Sequence, residues 1–139
     1  MILGIGTDLC DIRRIEGALG RFGDRFINRL FTDFEQEKAN RRQKPASSYA
    51  QSFAAKEAFT KALGTGFRQG VFWRDIAVHN HGSGQPFLKI TGGAMAKLKE
   101  LTPPGMQFSV YITQTDEYPI ANAVVIIEAL PIPSEPRHP

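Results

Sequence analysis

Two acids and two lysines stand out as residues able to do chemistry together. Asp8 follows Gly6-Thr7 in an apolar N-terminal run, and Glu57 lies between Lys56 and Lys61 in the segment Phe-Ala-Ala-Lys-Glu-Ala-Phe-Thr-Lys-Ala at 53–62. Paired carboxylates supply the hard oxygens that a divalent metal takes, and nearby ammonium groups suit a phosphate. The combination is a candidate site for a metal ion and a phosphorylated substrate. Plainer readings exist. Glu57 and Lys61 are four residues apart, the spacing of an ordinary helix-surface ion pair contributing about 0.2–0.5 kcal/mol. Asp8 could simply cap a helix that starts near Asp11 or Ile12. Spacing alone does not bring Asp8 and Glu57 together.

The elements that must position these residues can be read in outline. Ser47 or Ser48 can cap a helix whose interior is rich in alanine and which Gly64 can end in a left-handed conformation. On it Glu57 and Lys61 share a face with Phe53 one turn earlier, while Lys56 points some way round. Ala50, Ala54, Ala58 and Ala62 form a stripe of small residues that would let another element approach closely, with Phe59 and Leu63 as bulk beside it. Asp8 is expected at the end of a strand. An amphipathic helix follows, with Ile12, Ile15, Leu19 and Phe22 as its apolar stripe and Arg13, Arg14 and Arg21 near its borders.

Farther along, Thr32-Asp33-Phe34-Glu35 is a capping box opening a helix to about Arg42, and Pro45 interrupts before the next. Residues 71–78 and 86–90 read as strands joined by Gly82-Ser83-Gly84-Gln85-Pro86. A short helix then runs from Thr91-Gly92-Gly93 to just before Pro103. Met106, Phe108, Val110 and Ile112 alternate with polar residues, and a more apolar strand spans 121–129, so the two form a hairpin across 116–119. The near-continuous apolar run from Ala123 to Ile127 is compatible with a strand covered on both faces. The pattern is α+β, a largely antiparallel sheet packed against helices. One domain is expected over 1–130, followed by a Pro-rich, disordered tail over 131–139.

Composition bounds the function. With 139 residues, 42% of them hydrophobic, the chain can build one real core. It has no run of eighteen apolar residues, and Met1-Ile2-Leu3 lacks the basic start of a signal peptide, so a cytoplasmic protein is expected. The lone Cys10 excludes an internal disulfide and reads as a small buried hydrophobe. His79, His81 and His138 lack a second ligand at useful spacing and suit turn or surface roles. Net charge is +3, but residues 1–70 carry 12 Lys or Arg against 8 Asp or Glu, and the remainder 5 against 6. The basic helix face could dock an acidic partner or simply be solvated. No zinc-finger or RNA-motif spacing accompanies it, which argues against nucleic acid.

The full pattern resembles the holo-acyl-carrier-protein synthases, small 4'-phosphopantetheinyl transferases. The likeness runs through Ile5-Gly6-Thr7-Asp8 with Asp11-Ile12, Arg25-Phe26 to Phe31-Thr32, the 53–62 motif continuing to Gly64-Thr65-Gly66, Trp73-Arg74-Asp75-Ile76, Gly84-Gln85-Pro86, and Val124-Val125-Ile126-Ile127-Glu128. It implies that fold, and a magnesium-dependent transfer of the phosphopantetheine arm of coenzyme A to a serine of apo acyl carrier protein, releasing adenosine 3',5'-bisphosphate. By the same resemblance Asp8 and Glu57 match the metal-binding acids. Lys61, and less directly Lys56, would hold phosphate oxygens. Gly64-Thr65-Gly66 would let backbone approach the nucleotide, though a plain helix stop explains it too, and Pro86 would lie near the adenine or ribose. The arginine face would meet the acidic carrier protein. The family is often trimeric with active sites between subunits.

The nucleophile would belong to the carrier, and its proton could pass to a metal-bound water, Glu57 or a neutral Lys61; water or Glu57 is favoured, because an ammonium beside phosphates resists deprotonation. Two departures from the family pattern stand out. Ser52 occupies the place where many relatives carry an arginine for a coenzyme A phosphate, and Thr113-Gln114-Thr115-Asp116 lacks the histidine that some relatives have there. Arg41 or Arg42 is the expected substitute for the first. Both departures keep open a catalytically silent module that binds carrier protein or nucleotide.

Overall fold

The structure, a computed structural model, describes residues 1–133. Strand β1 (Ile2–Asp11) leads into helices α1 (Ile12–Phe22), α2 (Asp24–Leu30), α3 (Asp33–Asn40) and α4 (Pro45–Leu63). A 3-10 turn at Trp73–Asp75 opens the hairpin of β2 (Ile76–Asn80) and β3 (Pro86–Ile90), and α5 (Gly92–Leu101) precedes the hairpin of β4 (Met106–Glu117) and β5 (Ile120–Pro131). All pairings are antiparallel: one sheet has the order β1-β5-β4, and β2-β3 form a second. The α+β expectation is met, with the strands split between two sheets.

Local chemistry explains most boundaries. Thr32 and Glu35 make the expected capping box, and Gly64 ends α4 with φ at 86°, its N–H reaching the carbonyls of Thr60 and Lys61. Several boundaries differ from the sequence reading. Helix α4 starts at Pro45, ahead of Ser47 and Ser48, because proline at the first helical position has no N–H to satisfy and a preset φ. Residues 73–75 form a helical turn rather than strand. Strand β1 continues three residues past Asp8, and it is Asp11 that caps α1, accepting from the N–H of Arg13 at 3.0 Å. Strand β5 carries through Pro131, and the rest of the expected tail beyond 133, with His138, lies outside the described residues.

The core sits where α4 crosses the inner face of the three-stranded sheet. Ala54, Ala58 and Phe59 are buried from the helix side, and Ala121, Ala123, Val125, Ile127 and Ala129 from β5. The outer face of β5 is only half-buried, so this chain by itself covers one face of the Ala123–Ile127 run and not both. On that outer face Ile5, Ile126 and Tyr111 align in register, with Ile5 63% and Tyr111 50% exposed. Phe22, expected in the apolar stripe of α1, is exposed, whereas Ile12 and Ile15 are buried. His79 stacks on Phe34 at 3.9 Å and His81 on Phe87 at 4.3 Å, which accounts for both by packing.

Candidate active site

Glycine decides how closely the strand and helix carrying the acids approach. Gly4, Gly6, Asp8 and Cys10 alternate onto the face of β1 that meets α4. A β-carbon on Gly6 would stand 1.9 Å from the carbonyl oxygen of Ala58, and one on Gly4 1.8 Å from that of Ala62. The alanine stripe of α4 therefore packs directly on the backbone of β1, and this contact carries Asp8 to the turn of helix that holds Glu57 and Lys61.

There Lys61 pairs with Asp8 rather than with Glu57. Its Nζ donates to Asp8 Oδ1 at 3.0 Å and to the Thr7 carbonyl, also at 3.0 Å. Because β1 is an edge strand, that carbonyl faces the open side of the sheet and is free for the lysine. Burial pushes the Glu57 carboxyl above its ordinary range, the charge of Asp8 pushes it further, and Lys61 and Arg14 oppose both. Two half-enclosed carboxylates close enough to repel form a site that a divalent cation would relieve. Among the described residues no third His, Cys, Asp or Glu joins them. Magnesium fits such a pair, since it keeps waters and substrate oxygens in the rest of its octahedron.

Lys56 is not on this edge, and the expectation that it holds a phosphate is corrected. Its side chain is 0% exposed, and Nζ donates to Glu35 Oε1 at 2.7 Å, to the Trp73 carbonyl at 3.0 Å and to the Ile76 carbonyl. Glu35, 2% exposed, also accepts from the N–H groups of Thr32 and Val78. Burial pulls the Lys56 ammonium below its ordinary range, and Glu35 counters that shift. One residue of helix, a rotation of about 100°, separates a core cation from the acid beside Asp8.

The remaining expected residues are spread out. Gly64 caps α4 just past Lys61. Pro86 opens β3 opposite Asn80, whose side chain takes the ammonium of Lys38, so it lies by α3 and away from β1. Arg13 is clasped by Asp11 through two side-chain bonds of 3.0 and 2.7 Å. Arg14 is exposed, borders a small pocket with Cys10, Phe26 and Phe53, and its charge acts on Glu57. Arg21 lies over Phe22 at the far end of α1. Arg41 and Arg42 precede α4, whose first residue Pro45 is about 18 Å along the axis from Glu57 at 1.5 Å per residue. Ser52 is buried on α4, and Gln114, in the segment without a histidine, donates to the Gln51 carbonyl at 2.9 Å. Burial raises the Cys10 thiol to about 11, so it is inert at neutral pH.

A family model for the 4'-phosphopantetheinyl transferase superfamily matches residues 4–122. The chain belongs to that superfamily. Among curated relatives, a holo-[acyl-carrier-protein] synthase from Methylorubrum populi is 61% identical over 132 residues, 95% of this chain and 97% of that protein. Another from Phenylobacterium zucineum is 58% identical over 131 residues, 94% and 95% of the two chains. In three dimensions the crystal structure of the Neisseria meningitidis holo-[acyl-carrier-protein] synthase is similar with a TM-score of 0.80 at 36% identity, covering 92% of this chain and 99% of that one. The Helicobacter pylori synthase, solved in complex with coenzyme A, gives 0.75 at 27% identity, over 89% and 99%. The superfamily match embraces Asp8, Glu57 and Lys61. Sequence reasoning missed two polar neighbours of these residues, Thr7 and Asn122. The signal for the second was present: asparagine is disfavoured in strands, and this one sits among alanines and branched aliphatics.

Proposed function

We propose that this protein transfers the 4'-phosphopantetheine group of coenzyme A to a serine hydroxyl of apo acyl carrier protein, releasing adenosine 3',5'-bisphosphate, in a magnesium-dependent reaction that serves fatty acid biosynthesis. The observation that carries it is the convergence of Asp8, Glu57 and Lys61 from two elements onto one open edge, in a chain of this superfamily. The serine oxygen forms a new bond to the pantetheine-side phosphorus, and the bond from that phosphorus to the bridging oxygen breaks. A magnesium ion between Asp8 and Glu57 would supply charge neutralisation and polarisation of the pyrophosphate. Lys61, beside Asp8, would contact the phosphates and match the negative charge that grows on the leaving bisphosphate. Water or Glu57 would take the serine proton.

Arg14 and Arg21, with the exposed Phe22, present charge and apolar surface to an acidic helical carrier. Arg41 and Arg42 remain the arginines for a coenzyme A phosphate in place of Ser52. The outer-face row of exposed Ile5 and Tyr111 flanking half-buried Ile126 supports a homotrimer in which neighbouring chains cover the sheet and the sites lie between subunits. Among the described residues no helix is long and apolar enough to cross a membrane, and a cytoplasmic enzyme is the reading that fits.

The test is to incubate the protein with apo acyl carrier protein, coenzyme A and magnesium and to weigh the intact carrier, with an EDTA control. Addition of one phosphopantetheine only when magnesium is present is the expected result. No addition by the folded protein, with a known synthase active on the same carrier, would refute the assignment.

A further inference from the structure

The first half of strand β5 carries one polar side chain among apolar neighbours. Asn122 stands opposite Leu9 on the outer face of the sheet, in a run otherwise built of Ile120, Ala121, Ala123, Val124 and Val125. Its Nδ2 donates to the Asp8 carbonyl at 3.0 Å and to Thr7 Oγ1 at 3.4 Å. The Thr7 hydroxyl gives its own proton to the Ala123 carbonyl at 3.1 Å, so both groups facing Asn122 are acceptors and the amide can be oriented only with its nitrogen toward them. Lys61 holds the same two residues from the opposite side, through the Thr7 carbonyl and the Asp8 carboxylate. These four residues, with Leu9, line a cavity of about 410 Å³ at the edge of β1.

We propose that Asn122 is a positioning residue: its amide locks the backbone of Thr7-Asp8, and so sets where the Asp8 carboxylate meets Lys61 and the metal. The physical need is plain. An edge strand is hydrogen-bonded to a neighbour on one side only, and the tight packing of α4 on β1 falls at Gly4 and Gly6, ahead of Asp8, which leaves the Asp8 peptide some freedom to rotate. A side-chain bond to that very carbonyl removes this freedom, and Asn122 provides it from the one strand paired with β1.

This inference rests on the transferase reading, so the experiment has two arms. In the first, Asn122→Val, which favours a strand, and Asn122→Thr are assayed for transfer beside the wild type. Because a bond of this kind contributes about 0.5–1.5 kcal/mol, kcat should fall roughly two- to thirteenfold. The magnesium concentration for half-maximal rate should rise, while KM for the carrier stays unchanged. The second arm measures Mn2+ affinity by electron paramagnetic resonance and melting temperature and mass in solution for each variant, with no turnover needed. Weaker Mn2+ binding by a variant that melts and assembles like the wild type is the expected outcome. Wild-type metal affinity in both variants overturns the proposal even if the wild type proves unable to transfer, and so does a defect confined to melting or to oligomeric state. An inactive wild type with the predicted metal defect would instead refute only the transferase reading.

Discussion

Adding one methyl group at Gly6 should disable this site without touching any group that does chemistry. The new β-carbon of Gly6→Ala would lie 1.9 Å from the Ala58 carbonyl oxygen, 2.8 Å from the Ala62 nitrogen and 2.9 Å from the Ala58 carbonyl carbon. Contacts of this kind under 3.0 Å essentially do not occur, and all three partners are helix backbone that cannot swing aside. Strand β1 must retreat by about 1 Å, and overpacking of this size costs about 1–3 kcal/mol. Asp8 lies two residues on along the same face, so its carboxylate moves with the strand, away from Glu57 and the 3.0 Å contact with Lys61. A misplacement of about 1 Å can reduce turnover by about a hundredfold. Gly4→Ala makes an equivalent clash, with the Ala62 carbonyl at 1.8 Å, four residues from Asp8 instead of two. It should lower stability similarly and turnover less. Carrier modification by intact mass, with circular dichroism at the assay temperature to confirm folding, separates the two effects. A folded Gly6→Ala protein with wild-type kcat would refute the claim that this contact sets the geometry of the acids.

Two further expectations concern the ionisable groups. Glu57 has a folded-state pKa raised above 4.5, so its charge opposes folding at pH values above that raised pKa, and the penalty vanishes as pH falls toward the unfolded value. In EDTA, Glu57→Gln should therefore melt higher than the wild type at pH 8, with the gap closing toward pH 5, and should lose transfer. A lower melting temperature for the variant at pH 8 would contradict this. Lys56→Met strands the buried Glu35 carboxylate and should cost about 3–5 kcal/mol in urea unfolding. Lys56→Met/Glu35→Gln should regain part of the loss, because no charge is left stranded and the amide oxygen still accepts from one of the two N–H groups, Thr32 or Val78, that bond to separate oxygens of Glu35. Equal stability of the single and double variants would show that the two side chains are not coupled.

Much of this protein was legible along the chain because the deciding interactions are short-range. The Thr32–Glu35 capping box, the left-handed Gly64 and the alternation of β4 depend on residues within a few positions of one another, and each appears where expected. The alanine stripe announced a close approach, and the 53–62 motif with Asp8 offered acids that a metal could take. What approaches the stripe could not be read, because Gly4 and Gly6 lie more than fifty residues away and spacing says nothing about pairing.

The lysines show the division most sharply. Sequence placed Lys56 and Lys61 together around Glu57, yet only the packing of α4 between β1 and the α3–β2 layer assigns one ammonium to the interior and the other to Asp8. A helix has a fixed rotation per residue, and its absolute orientation follows from which face finds the greatest burial, a sum over contacts from the whole chain. Asn122 belongs to the same class, since its hydrogen bonds join positions more than a hundred residues apart. The chain by itself determined which groups are available and which local elements carry them; tertiary packing decided which groups face one another, because that choice depends on long-range burial and pairing that no local pattern encodes.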